Sequence, residues 1–64
     1  MNLNPIKLLR RHRRLRQAIE EETFYLQRIH GASAHDAALE KLKRDDLTAW
    51  GRRVVEGAAK RLES

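Results

Sequence analysis

The chain has 64 residues, no cysteine, 36% charged residues and a net charge of +5. That length allows one domain with a small core. No disulfide or thiolate metal site can brace it, and no apolar run approaches the roughly 20 residues a membrane span needs. The first residues, Met1-Asn2-Leu3-Asn4-Pro5, lack the apolar stretch of a secretory signal, so the expectation is a cytoplasmic protein.

The charge is unevenly placed. Residues 1–19 carry Lys7, Arg10, Arg11, Arg13, Arg14 and Arg16 without an acid, and the remainder is close to neutral. Anionic partners are therefore worth weighing against a plain solvated helix face.

Asn4-Pro5 predicts a helix start, with Asn as cap and Pro at the first helical position, where its missing N–H costs nothing. No further Pro or Gly occurs before Gly31. The first helix is expected over about residues 5–30, about 37 Å long. Leu8, His12, Leu15, Ile19, Glu22, Leu26 and Ile29 follow one another at spacings of 4, 3, 4, 3, 4 and 3, a heptad seam with His12, Ile19 and Leu26 at a. Glu22 on that seam is either an edge position that reaches water or one half of a buried ion pair with Arg or Lys of a partner helix, fixing register.

Gly31 predicts the helix end, because glycine takes the left-handed conformation cheaply. The turn is expected at residues 31–33. Ser33-Ala34-His35-Asp36 resembles a capping box for a second helix over about residues 34–62. Leu39, Leu42, Leu47, Trp50, Val54, Ala58 and Leu62 form its apolar stripe, which drifts around the helix between Leu42 and Leu47. Glu40 with Arg44, and Glu56 with Lys60, have the spacing of i,i+4 ion pairs. Gly51 and Gly57 imply either a close helix approach or hinge, or a weak distal half.

Two blocks resemble the YdcH-like family of small bacterial proteins of unknown function. The first is Leu8-Leu9-x-x-His12-x-x-Leu15-x-x-x-Ile19, followed by Glu22. The second is Asp36-x-x-Leu39-x-x-Leu42-Lys43-Arg44-x-x-Leu47. The resemblance covers roughly residues 8–50 and implies a helical hairpin without catalytic or ligand residues. After Leu47 the chain departs from the family pattern, with Thr48-Ala49-Trp50-Gly51-Arg52-Arg53.

No nucleophile elbow, phosphate loop or metal-ligand spacing is present. His30, His35 and Asp36 flank the turn without a ligand pattern, and neighbouring carboxylates among Glu20, Glu21 and Glu22 point about 100° apart on a helix. The expectation is a protein without catalytic activity, cofactor, metal or small-molecule substrate. The arginine cluster of Arg10, Arg11, Arg13, Arg14 and Arg16 is suited to successive phosphates, but no aromatic or Asn is interleaved with it to read or stack a base.

The expected fold is all-α, an antiparallel two-helix hairpin completed by oligomerisation or by docking on a partner. The interaction seam is expected to use Leu8, His12, Leu15, Ile19, Glu22, Leu26, Ile29, Leu39, Leu42, Leu47, Trp50 and Val54. The expected function is that of a small helical interaction protein, associating with itself or acting as a subunit or adaptor of a larger complex. The alternative is an electrostatic RNA- or DNA-binding module.

Overall fold

The computed structural model describes the backbone of residues 5–63 and the side chains of residues 10–63. Asn4 as a cap, and Leu8 and Leu9 as packing residues, lie outside the described atoms. The fold is all-α. Helix α1 spans Pro5–His30, and Gly31 ends it with a φ of 54°, the left-handed backbone that glycine adopts without a Cβ penalty. One turn of 3₁₀ helix, Gly31–Ser33, leads into α2, Ala34–Leu42. The capping box does not form: the Ser33 side chain makes no cap hydrogen bond. The tight turn uses backbone instead, with the Ala34 N–H donating to the Gly31 carbonyl, so the hydroxyl is not needed there.

Helices α1 and α2 form the antiparallel hairpin. Leu26 meets Ala34 and Ala38, and one turn earlier along α1 Glu22 meets Lys41, one turn later along α2. The second helix does not continue to residue 62. It stops at Leu42, and a third helix, α3, spans Ala49–Leu62. The five-residue gap between Leu42 and Leu47, which looked like drift of one stripe, is a break.

Its cause lies in Arg44, Asp45, Asp46 and Thr48. Two aspartates beyond the C-terminus of α2 oppose its dipole, whereas they suit the approach to the N-terminus of α3. Arg44 turns onto Asp46, with Nε to Oδ1 at 3.1 Å and Nη2 to Oδ2 at 2.9 Å. This hydrogen-bonded guanidinium holds the Asp46 carboxyl below its ordinary 3.8. A depressed carboxyl stabilises the fold above its unfolded value, and that contribution fades as pH falls through the folded one. The expected Glu40–Arg44 pair is replaced by Glu40 with Lys43 at 3.3 Å. The Glu56–Lys60 pair is not among the ion pairs of the described residues.

Arg52 of α3 closes the other side of the break. Its guanidinium donates to the Leu42 carbonyl at 3.2 Å and the Arg44 carbonyl at 3.5 Å, taking up acceptors that the end of α2 leaves free. Thr48, with extended backbone, caps α3 by accepting the Gly51 N–H at 2.9 Å on its Oγ1. Thr48→Ala is expected to cost about 1 kcal/mol in urea denaturation, and Thr48→Ser close to nothing, because serine keeps the accepting oxygen.

Trp50 at the start of α3 lies beside His12 and Leu15. Gly57 faces Ile19. Ala58, Ala59 and Leu62 join the cluster around Leu26. Helix α3 therefore runs in the direction of α1 and against α2. The buried core is Leu26, Ala34, Ala38, Val54, Val55, Ala58 and Ala59. Four of these seven are alanines, so the axes approach closely, with Leu26 as the one large side chain wholly enclosed.

Candidate interaction surfaces

The middle of the seam packs as its spacing implied, but inside one chain. Ile19 is half-buried with its side chain against Gly57, where an added Cβ would sit 2.7 Å from Ile19 Cγ1. Of the two readings of Gly57, close approach is the one that holds. The distal half is not a weak extension, since four residues of α3 are buried. Glu22 has the ion pair its position suggested: Lys41 Nζ lies 2.8 Å from Oε2, with the two side chains 30% and 17% exposed in that order. The partner helix is α2 of the same chain. Lys41 also stands 5.7 Å from the centre of the Tyr25 ring, within range of a cation–π attraction.

The ends of the seam differ. His12 and Ile29 are exposed, and so are Leu39 and Trp50. His12 lies near the start of α3, beyond the stretch where α2 and α3 both cover α1. Leu15, Leu42 and Leu47 are half-buried, and Val54 is buried. The stripe also missed Ala34, Ala38, Val55 and Ala59, all core residues. Alanine is a weak apolar signal on a helix, yet its spacing of four at Ala34 and Ala38 marks the face that meets Leu26.

Arg10, Arg11, Arg13, Arg14 and Arg16 are all exposed, and none takes part in an ion pair among the described residues. They fall on two sides of α1. Arg10, Arg13 and Arg14 share its outward face with Gln17, Glu20, Glu21, Phe24 and Arg28, every one exposed. Among the described residues of that face only Gln17 and Glu21 are joined, at 3.5 Å. Phe24 is 66% exposed there, an apolar ring on an otherwise charged row.

Arg11 turns the other way, toward α3. With His12, Leu15, Ala49, Trp50 and Arg53 it lines an open concavity that contains no acid. Trp50 is 45% exposed at its edge. The chain thus brings its only tryptophan beside the arginine cluster, although 34 residues separate Trp50 from Arg16. Sequence order had shown no aromatic near those cations.

Among the described residues no group of three or more His, Asp or Glu is placed to hold a metal ion, and no helix is long and apolar enough to cross a membrane. No family model matches the chain, and no curated protein or solved structure matches it.

Proposed function

We propose that this is a small non-catalytic helical interaction protein, acting in the cytoplasm, that associates with a second copy of itself through the outward face of α1. One observation carries the reading: that exposed face is self-complementary about Gln17. From Arg10 to Phe24, arginines precede Gln17 and acids follow it, with Phe24 one turn beyond Glu20 and Glu21 and Arg28 further on. Laid antiparallel on a copy about a twofold axis at Gln17, Arg13 faces Glu21 and Arg14 faces Glu20. Arg10 then faces the Phe24 ring, a cation–π contact. A twofold interface repeats each of these contacts, so four ion pairs and two ring contacts form together.

The strength follows from the chemistry. Exposed ion pairs contribute about 0.2–1 kcal/mol each. Among its described residues the face is polar apart from Phe24, so association is weak. The apolar seam does not supply this interface, since α2 and α3 of the same chain cover its middle.

Sedimentation equilibrium tests the reading. The wild-type chain is expected to show a monomer–dimer equilibrium that weakens with added salt, because the contacts are charge pairs near water. Glu20→Arg with Glu21→Arg turns the whole face positive and is expected to abolish dimers, with the helical circular dichroism kept. A wild-type chain that stays monomeric at millimolar concentration, or a double variant that dimerises as well as wild type, would refute it.

A further inference from the structure

We infer that the concavity between the first half of α1 and the start of α3 is a binding site for single-stranded nucleic acid, with a base stacked on Trp50 and flanking phosphates held by Arg11 and Arg53. The site is separate from the proposed dimer face and does not depend on it.

The fold assembles what the sequence keeps apart. A site for single strands needs an exposed aromatic face and cations spaced along a backbone path. Trp50 supplies the ring, nearly half exposed and outside the buried core. Arg11 from α1 and Arg53 from α3 border the same concavity, with His12 as a further donor, and no carboxylate lines it; Glu21 and Glu22 share a second concavity with Trp50. No acid precedes Glu20 along α1.

Two alternatives fit less well. An acidic peptide would use the same cations but leave the ring face without a planar partner. Duplex nucleic acid would offer phosphates to the arginines, yet its bases are stacked inside and out of reach of Trp50. A single strand answers to both features, because each base has a face to stack and each linkage a charge. With no Asn beside the site and only Gln17 on the opposite face, little base discrimination is expected.

Trp50 is the only tryptophan, so its fluorescence reports the site directly. The probe is a twelve-nucleotide oligo-dT titrated into the intact chain at near-physiological salt. Quenching is expected to saturate, and a linear polyphosphate or a poly-Glu peptide at matched charge is expected to leave the emission nearly unchanged. Fluorescence anisotropy of labelled oligo-dT then gives affinity for the variants. Trp50→Ala is expected to weaken binding about tenfold, with Trp50→Phe keeping most of it, in line with the effect of one stacked base. Arg11→Gln and Arg53→Gln are each expected to reduce the log–log salt slope by about 0.7, one phosphate contact on a single strand.

Trp50 and both arginines lie outside the core, and circular dichroism confirms that each variant is helical before its affinity is read. Equal quenching by polyphosphate, preference for the poly-Glu peptide or for duplex DNA, or unchanged oligo-dT affinity in Trp50→Ala would each overturn the assignment. The Glu20→Arg, Glu21→Arg variant separates this site from self-association: losing its dimer, it should still show Trp50 quenching by oligo-dT.

Discussion

Leu26→Ala is expected to lower the stability of the fold by about 2–5 kcal/mol. Leu26 is 2% exposed and is the largest side chain fully enclosed in the core. Its neighbours are Ala34, Ala38, Val55, Ala58 and Ala59. The alanines cannot extend into a space that Leu26 vacates, so the cavity persists, and truncation at such a site costs about 2–5 kcal/mol. A chain of this length has roughly 3–10 kcal/mol of total stability. The loss is therefore a large share of what holds the fold. Urea denaturation followed by circular dichroism reads it directly. Leu26→Met, which conserves volume, is expected to cost less than about 1.5 kcal/mol. Equal loss in the two variants would show that the core does not depend on filling this position.

Gly57→Leu is the second large effect, expected to destabilise by about 3 kcal/mol through overpacking. The glycine lets α3 press against Ile19, whose Cγ1 and Cγ2 would lie 2.7 Å and 3.1 Å from a Cβ at position 57. Ile19 is β-branched and stiff at χ1, so it cannot swing aside without leaving its rotamer well. The diagnostic test is Gly57→Ala in two backgrounds. In the wild-type chain the added methyl meets Ile19 and should cost about 1–3 kcal/mol. In an Ile19→Ala background the space is empty, and the same change should stabilise by up to about 1 kcal/mol, the ordinary advantage of Ala over Gly in a helix. A sign that does not reverse would mean that the two residues are not in contact.

Much of the first half of the fold was legible in the sequence because its signals are local. Pro5 and Gly31 bound α1 where their backbone chemistry requires. Leu15, Ile19, Glu22 and Leu26 pack as their spacing implies. The second half was harder to read because its helix boundary is made by contacts between distant residues. Arg52 reaches back to carbonyls at Leu42 and Arg44, and Arg44 turns onto Asp46. The local clue was present in Asp45-Asp46-Leu47-Thr48, a charged break followed by a capping residue. Reading the five-residue step from Leu42 to Leu47 as drift of one stripe had masked it. The alanine core was missed for a different reason: alanine is common on every helix face, and only the arrangement of three helices makes Ala38 and Ala58 fully buried.

The surfaces divide in the same way. The outward row from Arg10 to Phe24 follows from helical periodicity alone. The neighbourhood of Trp50, Arg11 and Arg53 exists only because α3 folds back along α1. The arginines of α1 thus lie on more than one face of the helix, with Arg10, Arg13 and Arg14 outward and Arg11 toward α3.

The most direct test of self-association is a mixing experiment with two charge-reversed chains. One carries Arg13→Glu and Arg14→Glu, which makes the central outward face acidic. The other carries Glu20→Arg and Glu21→Arg, which makes it basic. Each alone faces like charges across the twofold axis and should sediment as a monomer at a concentration where wild type dimerises. Mixed in equal amounts they restore all four pairs, two with the native sign and two with the sign exchanged, and they should form a one-to-one heterodimer. Homodimers in either chain alone, or a mixture that remains monomeric although wild type dimerises, would contradict the antiparallel register about Gln17.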